Sequence, residues 1–312
     1  MSNAPSIVYH YCSLDSFFAI INHSTIRLSN IAKSNDREEV RHCFDIFEKT
    51  LRDSCLEFSK YYGCRKFFDN IDYNDLVSRA VTNDSLIYYV ACFSAESDLL
   101  SQWRGYADDG RGVAIGFYSK AFVSVKDFKN IKYNKVIYDA SAIKNDLHDY
   151  IIRKLKDAYN RYTPISPYID AINDIISGMI YNAIFYKNPA FIEESEWRLV
   201  IYPFGNIRNL LIKNKSSDLS SNQLFYDRMY ELIEYKSVYN DLACSNLQFR
   251  CANGRIISYI DVSFEKNKNS TIAEIILGPK SNIDDRDLRL FLMSNGYDLS
   301  KIVIKRSTAT YR

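Results

Sequence analysis

The residues with the most chemical capacity lie in Glu193-Glu194-Ser195-Glu196-Trp197-Arg198, which runs straight into apolar Leu199-Val200-Ile201. If this stretch is a strand, side chains alternate. Glu194, Glu196 and Arg198 then share one face, and Leu199 and Ile201 take the other. Two carboxylates and a guanidinium along the wall of a wet cleft can hold a sugar hydroxyl, stabilise an oxocarbenium-like centre or act as a general base. On an open surface the same residues would be a ladder of weak ion pairs. Both readings stay open on the residues alone.

A second cluster lies within Ser85 to Ser119, which reads strand, turn, short helix, turn, strand. Leu86 to Phe93 has the aromatic and β-branched content of a buried strand. Ser94 or Ser97 is placed to cap a helix, because a serine oxygen accepts from an unpaired first-turn N–H. That helix would carry Leu99, Leu100, Trp103 and Tyr106 on one side, end at Asp108-Asp109-Gly110-Arg111-Gly112, and return as a strand over Val113 to Phe117. Packing does not ask for Ser94, Gln102, Trp103, Arg104 and Tyr106 to gather beside a strand end, whereas a ligand pocket does. Trp103 and Tyr106 are helical neighbours at this spacing. Core packing is the default for such a pair, and a flat ligand ring against one of them is the alternative.

His10 lies near the end of the first short strand, Ile7 to Tyr11, and Ser13 or Asp15 can cap the helical segment that follows. A lone histidine at a strand end is more often a hydrogen-bonded structural residue than a ligand-binding one. Arg27 and Arg198 each lie among apolar neighbours, where a charge needs a partner if buried. The acids available are Asp36, Glu39, Glu194 and Glu196.

Several chemistries have no counterpart in this chain. There is no G-x-S-x-G nucleophile elbow, no glycine-rich phosphate loop and no calcium-loop spacing of carboxylates. The seven cysteines are scattered, with no C-x-x-C and no zinc spacing, which reads as reduced thiols. A net charge of +2 gives no global footprint for nucleic acid or membrane. No apolar run approaches the ~20 residues that span a bilayer. No basic segment followed by an apolar run opens the chain. A soluble, cytoplasmic protein is expected, with no metal and no membrane partner.

The elements that must position these groups are short strands with helical cover. Further strands are expected at Ile26 to Ser29, within Phe128 to Tyr138, at Leu247 to Arg250, Arg255 to Ser263, Ile272 to Leu277 and Lys301 to Lys305. Helical segments are expected over about 40–83, 141–186 and 206–241, and at Asp284 to Asn295. The order, without βαβ glycine signals, implies a mainly antiparallel α+β fold.

Tyr9-His10-Tyr11-Cys12-Ser13, Ile26-Arg27-Leu28-Ser29, Asn35-Asp36 with Glu39, Cys92-Phe93-Ser94, Trp103 with Tyr106, and Gly112 to Phe117 follow one another here. Lys187, Glu194-x-Glu196-x-Arg198, Ile275 to Gly278 and Ser307 to Arg312 complete the series. Together they resemble the bacterial domain of unknown function 2971, from Tyr9 to Arg312. That family is similar, more remotely, to the His-containing branch of the ADP-ribosyltransferase fold, in which two small antiparallel sheets pinch NAD.

The resemblance implies one such domain over 1–312, with a split antiparallel sheet, helical cover and insertions at the three helical segments. It implies an NAD-consuming transferase or NAD glycohydrolase, of the kind used as a toxin or phage-defence effector. His10 and Ser13 would hold the riboses. Arg27, Ser94, Trp103, Tyr106 and Arg198 would complete the NAD site. Glu196 would stabilise the cationic sugar, with His10 and Glu194 as the other catalytic groups, Glu194 orienting an acceptor that is protein, nucleic acid, a small molecule or water. The chain departs from the family pattern at Cys12, where threonine is usual, at Arg37, where proline is frequent, and at Phe191, where tryptophan is common. A catalytically inactive module binding a nucleotide or a protein is the first rival. A nucleic-acid-targeting effector is the second, and the near-neutral charge argues against it.

Overall fold

The computed structural model describes residues 4–31, 43–63, 65–82, 88–123, 131–160, 166–201, 243–252 and 254–311. The expected insertion at 206–241 lies outside them, as do Asp36, Arg37 and Glu39.

The chain opens with β1 (Ile7–Cys12), α1 (Leu14–His23) and β2 (Thr25–Asn30). Ser13 caps α1, its oxygen accepting from the Ser16 N–H, which fixes the corner between β1 and the helix. The helices α2 (Phe44–Tyr62), α3 (Arg65–Asp69) and α4 (Tyr73–Thr82) follow among the described residues. Then come β3 (Tyr89–Ser94), α5 (Leu100–Tyr106), β4 (Val113–Tyr118), α6 (Lys120–Val123) and β5 (Ile131–Lys135). The helices α7 (Ala140–Tyr159) and α8 (Ser166–Ala183) lead through a 3-10 turn at Pro189–Glu194 into β6 (Glu196–Ile201). The last part holds β7 (Ala243–Cys244), β8 (Gln248–Ala252), β9 (Arg255–Ser263), α9 (Lys268–Thr271), β10 (Ile272–Leu277), α10 (Asp285–Ser294) and β11 (Val303–Arg306).

The strands join in a sheet ordered β11-β10-β4-β1-β3-β2-β9-β7, with β6 and β5 continuing from β3, and β8 from β9. Every strand pair is antiparallel except β10 with β11. The sheet splits at β3. One edge of β3 pairs with β6 from Tyr89 to Ser94. On the other edge β2 takes only Tyr89 and Val90, and β1 meets only Ser94. Among the described residues Ala91 to Phe93 therefore have no strand neighbour on that side, and the two wings part there.

Alternation assigns the faces. Val8, Cys12, Phe93, Phe117, Trp197, Leu199 and Leu277 belong to one buried core shared by both wings. Val90 and Val200 point the other way, into a second core with Phe47, Leu51, Leu147, Ile151 and Ile176 from α2, α7 and α8. This is the helical cover the sequence implied. Tyr9, Tyr11, Ala114 and Ile276 form a third core under Trp103 and Ala107.

Candidate functional site

The β6 register explains why its charges are not wet. Trp197, Leu199 and Ile201 point into the shared core, so Glu196, Arg198 and Val200 face the helical layer. Arg198 is 1% exposed, and its Nη1 donates to the Ile184 carbonyl just beyond α8 at 2.6 Å. The open cleft face expected for this guanidinium is therefore corrected: the end of the helical cover closes over it.

A guanidinium buried this deeply needs compensation. Glu196 supplies it bidentately, accepting from Arg198 Nε at 2.7 Å and Nη2 at 3.0 Å. Lys187, also buried, donates to Glu194 Oε2 at 2.6 Å and Glu196 Oε2 at 3.2 Å. Two cations and two anions thus form a formally neutral cluster. Burial pushes the Glu196 carboxyl up, but Arg198, then Lys187 and a hydrogen bond from the Cys92 thiol, outweigh it and hold the carboxyl at about 2. Two bonds from Arg198, one from Lys187 and one from Cys92 match the roughly four acceptor sites of a carboxylate. Glu196 has little capacity left for a ligand.

Glu194 reaches the cluster by another route. It closes the 3-10 turn at Pro189–Glu194, and Ser195 follows in the left-handed region at φ 45. The expected alternation of Glu194 with Glu196 and Arg198 thus fails at Ser195, because β6 begins only at Glu196. The carboxylates still meet, because Ser94 Oγ donates to the Glu194 carbonyl at 2.7 Å and the Ala95 N–H to the Ser195 carbonyl at 3.0 Å. Glu194 Oε2 is taken by Lys187, while Oε1 has only a 3.5 Å contact with the Tyr106 hydroxyl.

A cavity of about 90 Å³ lies where the sheet splits, lined by His10, Cys92, Gln102, Tyr106, Lys187, Glu194 and Glu196 among others. His10 spans the gap left in the sheet. Its Nδ1–H donates to the Cys92 carbonyl at 3.0 Å, which fixes the tautomer because a carbonyl only accepts. Nε2 is then an acceptor, and no described residue bonds it. Burial lowers the imidazole pKa, against a smaller opposing effect of the Cys92 carbonyl, so the ring is neutral at pH 7.

The helix α5 divides its residues by periodicity. Gln102 and Tyr106, four apart, face the cavity. Trp103 and Ala107 share the next face and are buried. Trp103 packs edge-on against Tyr11 at 4.8 Å between centroids, and its Nε1 donates to Asp98 Oδ1 at 2.7 Å. The expected NAD-binding role of Trp103 is thus replaced by its core reading, while Tyr106 does wall the cavity. The proposed serine caps are corrected too: the residue before α5 is Leu99, with no side-chain cap. Asp98 went unnoticed in the sequence. It also accepts from Ser307 and Thr308 and so ties the C-terminal segment to the loop before α5.

Other expected site residues lie elsewhere. Ser13 is occupied as the α1 cap, and Ser94 holds Glu194 from behind. Arg27 points outward from β2, pairs with Asp261 at 2.9 Å and lies over the Tyr259 ring at 3.7 Å. It is not part of the cavity wall. Of the nine residues expected at the site, His10, Tyr106, Glu194 and Glu196 line the cavity, and Arg198 backs Glu196. Lys187 and Gln102 are additions. Lys187 was visible in the sequence as a lysine just before the acidic run, and Gln102 only as a member of the α5 cluster.

Among the described residues no helix is long and apolar enough to cross a membrane, and no group of His, Cys, Asp and Glu is placed to hold a metal ion. No curated protein and no solved structure matches the chain. A family match covers residues 102–199, from Gln102 through Lys187 and Glu194 to Arg198 and Leu199. The charged cluster and the α5 wall of the cavity therefore lie within the stretch that is similar to the family described as Protein of unknown function (DUF2971).

Proposed function

We propose that the protein consumes NAD, transferring ADP-ribose to an acceptor or to water. The observation that carries this reading is the pairing of a rigidly held acid, Glu194, with a neutral His10 and the ring of Tyr106 around one cavity at the split of an antiparallel sheet. Ligand pockets are typically ~300–1,000 Å³. At about 90 Å³ this cavity fits one small group of a dinucleotide rather than the whole.

Loss of nicotinamide carries the C–N bonding electrons away with the ring and leaves positive charge on the sugar. A carboxylate fixed before the reaction stabilises that charge without reorganising. The hydrogen bonding favours Glu194 Oε1 for this role and Glu196 as the group that holds Lys187 and Arg198. The resemblance implied Glu196 for the stabilising role. The test is nicotinamide release from NAD by the purified protein. Glu194→Gln at matched melting temperature should lower the rate by ~10²–10³, and full turnover by that variant would remove Glu194 from the mechanism.

One observation favours a second reading, a module that binds a nucleotide or a protein without turnover. Lys187 and Arg198 already neutralise both carboxylates, which weakens their pull on a developing cation. A wild-type protein that releases no nicotinamide with any acceptor tried would favour that reading.

A further inference from the structure

Gln102 is a buried amide whose side chain has no hydrogen-bond partner among the described residues. It is 8% exposed and lines the cavity from α5. No described residue hydrogen-bonds its side chain, and it is not among the sealed polar atoms of the interior, so its amide opens onto the cavity. An amide so little exposed is destabilising if left unbonded, so it is matched by a group that enters the cavity. Around it stand two further open acceptors, His10 Nε2 and Glu194 Oε1, the latter with only the 3.5 Å Tyr106 contact. Lys187, the nearest cation on the wall, is engaged by both glutamates.

The cavity thus offers one donor–acceptor pair and an excess of acceptors. A carboxylate brings no donor and would face two acidic side chains. A ketone brings one acceptor and leaves His10 and Glu194 unanswered. An uncharged primary amide matches: its carbonyl accepts from the Gln102 NH₂, one N–H returns to the Gln102 oxygen, and the other is free for His10 or Glu194. The aromatic walls of Tyr9, Tyr11, Phe93 and Tyr106 suit a flat ring carrying that amide.

We infer that Gln102 is the specificity-determining residue of this cavity and selects a ligand bearing a primary carboxamide on a planar ring. The inference rests on the NAD reading only for the natural source of that group, the nicotinamide end.

The experiment measures binding of benzamide, nicotinamide, benzamidine, acetophenone and benzoate to the full chain, by calorimetry or ligand-observed NMR, with Gln102→Leu and the near-isosteric Gln102→Glu beside wild type. Both amides should bind the wild type at least ~10-fold tighter than acetophenone or benzoate, the value of one hydrogen bond at ~1.4 kcal/mol. Gln102→Leu should erase that preference. Gln102→Glu, an acceptor only, should move it towards benzamidine, which a merely structural role would not do. Equal binding of amides and non-amides, a preference that survives in Gln102→Leu, or no binding of any probe to a folded wild type would overturn the inference. Amide selectivity without NAD turnover would sustain Gln102 and sink the NAD reading. Turnover without Gln102-dependent selectivity would do the reverse.

Discussion

Arg27 and Arg198 look alike in the sequence, each an arginine within an apolar strand, and each forms a bidentate pair with an acid in the structure. Their surroundings differ. Arg27 has a side-chain exposure of 41%, partners Asp261 on the adjacent strand β9, and lies on Tyr259. Arg198 has a side-chain exposure of 1% and shares a buried cluster with Lys187, Glu194 and Glu196. Period-two alternation states which strand neighbours share a face and says nothing of what lies over that face. The helical layer decides whether an ion pair is a weak surface contact or a group that cannot lose a member.

The sharpest way to break the comparison is to delete each guanidinium. Arg198→Ala leaves Glu196 with Lys187 and the Cys92 thiol and without its bidentate partner, and frees the Ile184 carbonyl. Removing one partner of a buried pair costs ~3–5 kcal/mol. Arg27→Ala should cost about 1 kcal/mol or less, as exposed pairs do. Urea unfolding of the two variants measures this, and equal losses would erase the distinction drawn between the two regions.

Acid titration sharpens it further. The Glu196 carboxyl lies at about 2, below its ordinary 4.5. A group depressed on folding contributes stability that is complete above the unfolded value and is lost as pH falls through the folded one. The drop from 4.5 to about 2 corresponds to roughly 3 kcal/mol, which should be present at pH 6 and fade towards pH 2. Glu196→Gln should therefore be less stable than wild type by about that amount at pH 6, and the gap should narrow as the pH is lowered. A gap that stays constant from pH 6 to pH 3 would show that the charge of Glu196 is not what the cluster uses.

Much of the frame was legible in the sequence. Strands at Ile7, Ile26, Val113, Arg255 and Ile272 announce themselves by composition, since β-branched and aromatic residues fit a pleated, half-buried surface. His10, Glu194 and Glu196 were legible as chemistry because few residue types can do it. What stayed hidden depends on contacts distant in sequence or on one backbone angle. The left-handed Ser195 breaks a periodicity that the letters Glu-Ser-Glu-Trp-Arg invite. Asp98 draws two of its partners from Ser307 and Thr308, 209 and 210 residues away. On α5 the spacing of Trp103 and Tyr106 suggested one face, yet the better pairing is Gln102 with Tyr106, one turn apart. Only the position of the sheet split says which face of so short a helix meets the cavity.

The smallest effect expected is at Tyr106, and it tests whether the cavity mouth is structural or functional. Tyr106 is 51% exposed, and its hydroxyl stands 3.5 Å from Glu194 Oε1, the outer limit of a hydrogen bond. Glu194 is anchored without it, through Lys187 at one oxygen and Ser94 at its carbonyl. Tyr106→Phe should therefore leave stability within about 0.5 kcal/mol of wild type, as surface changes away from special features do. The ring itself remains as a wall, so benzamide affinity should change little in Tyr106→Phe. In Tyr106→Ala, which removes the flat surface, it should fall by ~5-fold, in keeping with about 1 kcal/mol for an aromatic pair. The two variants separate the hydroxyl from the ring. If the hydroxyl change destabilised the fold as much as Arg198→Ala does, the cavity mouth would belong to the buried cluster rather than stand at its edge.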